Sequence, residues 1–429
     1  MAGAGDRLRL VDARRGDPLP SPASLAFEPE VLEGARAILE RVRAEGDRAL
    51  VELTQRYDGV DVSGRIRVSD EEIAAAEREV PEDLRRAIER MADRLRRVHE
   101  RQIPRSWEEE ADGVRFGEVV HPVAAVGGYV PGGRASYPST VLMTAIPARV
   151  AGVERVVVCS PPAADGSVPA SVRYAAGVAR VDALYRIGGA QAIAALAFGT
   201  ESVPPVSKIV GPGNVWVTAA KREVTGIVGI DGLAGPTELV VVADRTANPR
   251  HLAADLVAQA EHDPLARAFL VTWEEDLAPA VLAELETELA EAPRAEVALA
   301  ALEHGALVLV EGEQRAAEAV DRLAPEHLQV VTEDPRAFLA RVRSFGAAFL
   351  GPFTPVTLGD YGVGSNHVLP TMGTARFASG LRAADLVTVS YVLEAAREGI
   401  ERVGSEVEAI AKAEGFFGHA RASEIRRSG

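Results

Sequence analysis

The run from Arg155 to Asp231 decides the fold: RVVVCS (155–160), SVRYAAGVAR (171–180), DALYRIGG (182–189), AQAIAALAFG (190–199), KIVGPG (208–213), NVWVTAAKREV (214–224) and GIVGID (226–231). Short apolar, β-branched runs alternate with Ala-rich stretches of helical length. That alternation is the pattern of βαβ units on a parallel sheet. It begins near residue 120, resumes at ELVVVAD (238–244), and continues through RAFLVTW (267–273), ALVLVEG (306–312), LQVVTED (328–334) and AAFLG (347–351). Helical stretches such as Pro249–His262 and Asp276–Leu289 lie between these strands. The fold class is therefore α/β, with two parallel sheets of a few strands each. The first 110 residues read as helices, over Ala26–Gly46, Asp47–Tyr57, Ser69–Glu77 and Pro81–Glu100. In the last of these, Leu84, Ile88, Met91 and Leu95 keep helical spacing. After Gly380 no strand is expected, and Ala383–Arg397 and Gly399–Ala413 read as helices.

Composition narrows the chemistry. The chain has 429 residues, about three domains' worth, and 47% hydrophobic with 26% charged is an ordinary globular balance. One cysteine, Cys159, excludes an internal disulfide, a Cys-rich zinc site, an iron–sulfur cluster and a CxxC redox pair. Any metal must be held by His, Asp, Glu or amide oxygen. The net charge of −16 argues against a nucleic-acid backbone or an anionic membrane as partner. The basic stretch Arg94–Arg101 reads as a solvated face, with a phosphate contact as the sharper alternative. The N-terminal residues lack the apolar core of a signal peptide, and no run of about 18 apolar residues occurs. The expectation is a cytoplasmic protein with neither membrane nor nucleic-acid partner.

In open α/β sheets, ligands bind beyond the carboxyl ends of the strands. The first sheet places small turns there, CSPP (159–162), GGAQ (188–191) and GPGN (211–214), with GGYVPGG (127–133) upstream. Such turns let a backbone approach phosphate, or merely turn tightly. No GxGxxG with an acid about 20 positions on is present, so the standard Rossmann fingerprint is absent. In the helix Pro249–His262, Asn248 can cap and Asp263-Pro264 stops. Leu252, Leu256 and Gln259 form one stripe, and Gln259 and His262 share the last turn, as a structural pair or as metal donors. Glu326-His327 precedes LQVV and offers two proton-transfer groups near neutral pH. The loop 358–367 carries Asp360 and His367, and Glu414 and His419 follow the last helix. Each of these is ordinary taken alone.

Together they carry a resemblance. IDGLAGPTE (230–238) running on to QAEH (259–262) resembles the signature of histidinol dehydrogenase. YVPGGR (129–134), STVLMTAIPARVAGV (139–153), GGAQAIAALAFGTE (188–201), KIVGPGN (208–214), APEHL (324–328), GDYGVGSNHVLPT (359–371) and AEGFFGH (413–419) are similar to that family's blocks and follow in its order.

The resemblance implies a zinc enzyme that oxidises L-histidinol to L-histidine through L-histidinal with two NAD+, the last steps of histidine biosynthesis. It implies one zinc per subunit on Gln259, His262, Asp360 and His419, and Glu326 and His327 as the acid–base pair. Thr237, His367 and Glu414 would join His327 and the four metal ligands in holding substrate, and Tyr129, Gln191 and Asn214 would contact NAD. Thr237 stands where serine is common in the family and keeps the hydroxyl. The implied architecture is two incomplete Rossmann-like parallel-sheet domains, 121–234 and 235–380. An N-terminal helical segment, 1–120, would pack with the 235–380 domain. A helical tail, 381–429, would complete the partner's site in a domain-swapped homodimer. Two alternatives remain, a related NAD-dependent dehydrogenase of another small alcohol such as a sulfopropanediol, and a non-catalytic binding homologue. Cys159 ends an apolar strand with no His or acid beside it, which favours a structural role and a hydrated aldehyde over a thioester.

Overall fold

Apolar runs without polar alternation belong to strands covered on both faces, and the chain follows that reading. The computed structural model describes residues 7–24, 26–132 and 135–428. The chain opens with β1 (Arg9–Asp12), then the helices Pro29–Glu45, Asp47–Asp58, Asp70–Glu79 and Glu82–His99. An antiparallel pair follows, β2 (Trp107–Ala111) and β3 (Val114–Pro122). Next come β4 (Ala125–Tyr129), β5 (Arg155–Cys159), β6 (Ala183–Tyr185), β7 (Lys208–Val210) and β8 (Gly229–Ile230). They form a parallel sheet in the order β6-β5-β4-β7-β8. A second parallel sheet holds β9 (Glu238–Ala243), β10 (Arg267–Thr272), β11 (Ala306–Leu309), β12 (His327–Val331) and β13 (Ala347–Leu350). Its order is β1-β11-β10-β9-β12-β13. Every residue of β9 and of β12 is buried, and these two neighbours both lie inside that sheet, away from its edges.

Local signals set the helix starts. Ser69 and Glu72 form a reciprocal capping box, and Asn248 caps the helix Pro249–Ala260 with Pro249 in its first turn. Among the described residues no helix is long and apolar enough to cross a membrane.

Three expectations need correction. Strands do not stop at Gly380: after a 3-10 turn, β14 (Val387–Ala395) pairs antiparallel with β3 in a three-stranded sheet, β14-β3-β2. The segment VTVSYV is rich in β-branched and aromatic residues, and that propensity outweighs the helical reading of 383–397. The chain before residue 110 is not all helix either, since β1 and β2 are strands. β1 is four residues long and all five residues of β2 are exposed, so neither carries a readable burial period. Thirdly, the N-terminal helices pack on the first sheet's layers, not on the second half. Pro29–Glu45 lies on the helices Gly189–Phe198 and Val215–Val224, Asp70–Glu79 on Ala170–Val178, and Glu82–His99 on Pro138–Ala151. Leu39, Leu50 and Leu53 join Tyr129 and Ile193 in one core, while Ile88 and Leu95 join Leu142 and Ile146 in another. Those helices thus thicken the cover on both faces of the first sheet. The segment before those helices is the part that reaches the second sheet, through β1 and through Ala13, Leu19 and Ser21 beyond it.

The link between the sheets is pinned. Asp231, just past β8, accepts from Gly211 N–H (2.6 Å) and pairs with Lys221, whose ammonium also donates to Gly211 C=O (2.7 Å). Both charged groups are buried.

Candidate active site

The helix Glu313–Leu323 ends on Ala324 in the left-handed region (φ 47), and Pro325 then turns the chain into β12. That exit buries Glu326 and His327 at the amino end of β12, beside Thr237 and Glu238 at the amino end of β9. The helix Pro249–Ala260 runs back from β9, so its last turn delivers Gln259 and, just beyond it, His262 to the same end.

A chain of donors runs through the cluster. Gln259 Nε2 donates to Thr237 Oγ1 (2.8 Å), and the Thr237 hydroxyl donates in turn to Glu326 Oε2. The Glu238 N–H donates to the same oxygen (3.1 Å). Burial nevertheless pushes the Glu326 carboxyl up to about 8, and the nearby Glu238 and Asp360 carboxyls add to the shift. His327 is driven down to about 3 by burial and then by the imidazoles of His262 and His367. Its Nδ1 lies 3.8 Å from Glu326 Oε2 and its Nε2 3.8 Å from Asp360 Oδ1, too far for hydrogen bonds. Both ring nitrogens are therefore buried without a protein partner among the described residues. The ring is held near Phe349, 5.9 Å between centroids.

Asp360 and His367 come from the polar loop. Burial raises the Asp360 carboxyl to about 6 and lowers His367 to about 4. His367 Nε2 meets Thr140 Oγ1 at 3.0 Å. Thr140 opens the helix Pro138–Ala151, which follows β4, so the first sheet's carboxyl end meets the second sheet's amino end at this point. Asn366 anchors the loop by donating to Met143 C=O (2.8 Å) and accepting from Val368 N–H (2.9 Å).

The expected nucleotide residues sit at the carboxyl ends of the first sheet's strands. Tyr129 ends β4, and its hydroxyl accepts from Gly189 N–H (3.1 Å). Gln191 lies two residues on, 2% exposed, with no side-chain partner among the described residues. Asn214 caps the helix Val215–Val224, accepting from Trp216 and Val217 N–H. Gly133 and Arg134 of YVPGGR lie outside the described residues.

Glu414 and His419 stand apart. Both are exposed, and no hydrogen bond or ion pair among the described residues ties either to the cluster. His419 does not follow the final helix but sits in a further one, Phe417–Ser428, which packs on Arg397–Ala413. Its ring lies 5.2 Å from that of Phe416.

A zinc ion fits what remains unsatisfied. Asp360 accepts no hydrogen bond on its buried carboxyl, desolvation lowers the pKa of the His262 imidazole toward its neutral form although the residue is exposed in the single chain, and the Gln259 amide oxygen is left over once its nitrogen binds Thr237. An amide oxygen, an imidazole and a carboxylate are a suitable zinc donor set, one short of four. Accordingly, among the described residues no three of His, Cys, Asp and Glu converge on one point within the single chain.

Sequence reasoning missed Thr140, Asn366 and Glu238. Thr140 had a signal, a helix start just beyond a strand's carboxyl end, whereas Asn366 and Glu238 act through tertiary contacts that spacing does not show. Cys159 is fully buried in the first sheet, and burial pushes its thiol well above the usual range.

Comparison with known proteins shows the family. The family model described as histidinol dehydrogenase matches residues 24–427. Histidinol dehydrogenase of Moorella thermoacetica is 48% identical over 422 residues, 98% of this chain and 99% of that protein. That of Halalkalibacterium halodurans is 47% identical over 392 residues, 91% of this chain and 92% of its own length. The crystal structure of histidinol dehydrogenase from Elizabethkingia anophelis superposes with a TM-score of 0.93 at 33% identity, covering 98% of both chains. Matched along nearly its whole length in both sequence and fold, the chain belongs to the histidinol dehydrogenase family and is an oxidoreductase.

Proposed function

We propose that the chain oxidises L-histidinol to L-histidine through L-histidinal, passing two hydrides to two NAD+. The observation that carries this reading is the buried Glu326–His327 pair, whose environments push the two groups in opposite directions from their ordinary values. His327, neutral with both nitrogens unengaged, takes the alcohol proton as the first hydride leaves carbon. Glu326 then takes a proton from the water that adds to the aldehyde, and His327 accepts the hydroxyl proton of the hydrate as the second hydride leaves. The net change is consumption of one water and release of two NADH and three protons, counting ionisation of the acid. The substrate's ammonium favours the carboxylate form of Glu326, and Thr237 and the Glu238 N–H hold that form in place.

Gln259, His262 and Asp360 would hold zinc, with His419 of the partner subunit as the fourth donor. When bound, zinc supplies a template that orients the substrate's imidazole and amine. His367 would bind substrate from the Thr140 side, Glu414 of the partner subunit from the other, and Tyr129, Gln191 and Asn214 would line the NAD path. The exposed apolar tail, with Val389, Tyr391, Leu393 and Phe417, supports a homodimer that exchanges this segment.

NADH counting tests the reading. Two equivalents per histidinol are expected. A single equivalent, or turnover of other small alcohols with none of histidinol, would overturn it.

A further inference from the structure

The helix Asp47–Asp58 starts at the far side of the first sheet, where the Asp47 carboxylate accepts from the Ser202 N–H and hydroxyl. Buried Leu50, Leu53 and Thr54 hold it against the core. It ends on Gly59 in the left-handed region (φ 72), and it delivers Asp58 to the end of the sheet where Tyr129 and the Gly188-Gly189 turn lie. Asp58 is half-buried, and its Oδ2 is buried with no hydrogen-bond partner. No cation pairs with it among the described residues. A carboxylate at a helix C-terminus is also opposed by the helix dipole, so nothing among the described residues rewards its charge. Burial lifts its pKa to about 6.

The groups around it are also unfinished. Asp58 lies close enough to Tyr129 for its charge to raise the phenol, yet the two are not hydrogen-bonded. The Tyr129 oxygen accepts from Gly189 N–H, and its own proton has no acceptor among the described residues. The helix Gly189–Phe198 has no side-chain cap, and the Gln191 amide in its first turn makes no hydrogen bond among the described residues. An uncapped helix start beyond a strand suits a phosphate. A free phenol proton beside a free carboxylate oxygen suits a hydroxyl that both accepts and donates. A ribose next to a pyrophosphate presents both. Asp58 belongs to the layer on one face of the sheet, with Leu53 and Ile193, whereas Thr140, which touches His367, opens the helix on the other face. The ribose at Asp58 is thus the one remote from the reacting carbon.

We infer that Asp58 is the specificity residue for the dinucleotide, accepting hydrogen bonds from the adenosine ribose hydroxyls and repelling a 2′-phosphate. This rests on the NAD-dependent reading above. The acid that a dinucleotide fold ordinarily supplies from its own sheet comes here from an N-terminal helix.

The test is calorimetric titration of the full-length protein with NAD+ and with NADP+, for wild type, Asp58→Asn and Asp58→Ala. Wild type should prefer NAD+ by tenfold or more. Both variants should bind NAD+ about tenfold more weakly and lose most of the preference, with the KM for histidinol unchanged. Asp58→Asn should melt no lower than wild type, because an unpaired, half-buried charge is removed. A preference for NAD+ that survives in both variants would overturn the inference and leave the proposed function standing. Wild type that binds neither dinucleotide and yields no NADH from histidinol would overturn both.

Discussion

At the scale of single residues, the site is a set of groups held short of satisfaction. Glu326→Gln keeps the shape and the contact with Thr237 but removes the base. Oxidation of histidinal should fall by about 10²-fold or more while the first hydride transfer is largely spared, read as NADH per histidinol dropping from two toward one. Equal loss of both steps would contradict the role given to Glu326. Cys159→Ser should leave turnover largely intact, because the thiol is buried in the first sheet, away from the cluster. His99 shows how burial alone sets a pH response. Its Nδ1 meets Gln102 Oε1 (2.7 Å), its Nε2 has no partner among the described residues, and burial lowers its pKa. The unfolded chain then binds more protons than the folded one as pH falls below about 6.5, so stability is full above that value and declines beneath it. His327 and His367 act in the same direction, and His99→Gln should remove only its own share of the acid slope, seen in urea midpoints between about pH 5 and 8.

At the scale of elements, legibility followed burial. β9 and β12 were plain in the sequence because both faces are covered and the apolar run is unbroken. β14 was misread because eight of its nine residues are exposed in the single chain, leaving propensity as its only signal. Gln259, His262, Glu326, His327, Asp360 and His367 were visible as motifs. What joins them, the turn at Ala324, the Asn366 anchor and the Thr237 relay, depends on contacts between distant segments. The Lys221–Asp231 strut is such a contact, and it makes a prediction. Lys221→Met leaves Asp231 buried and unpaired, which should cost about 3–5 kcal/mol in urea unfolding. The Lys221→Met/Asp231→Asn double variant should recover part of that loss.

At the scale of the whole molecule, the chain's two sheets meet carboxyl end to amino end, and the junction is where Thr140 of the first half reaches His367 of the buried cluster. The path of the N-terminal helices was not legible, because an amphipathic stripe states that a face is buried and not against what. The tail's proposed place in a partner's site rests on resemblance alone. Truncation after Glu408 should abolish tight zinc binding in an equilibrium titration, and retention of zinc would remove the tail from the site. The exposure of His419, some distance in sequence and contact from Glu326, has one more consequence. Two proteins that fail to form histidine, one carrying Glu326→Gln and the other His419→Ala, should restore that step when refolded as a mixture. A mixed pair contains one site assembled wholly from unaltered parts and one doubly damaged. Random pairing of equal amounts therefore returns roughly a quarter of the wild-type rate of histidine formation. Two genes that each fail to make histidine would together make one working enzyme.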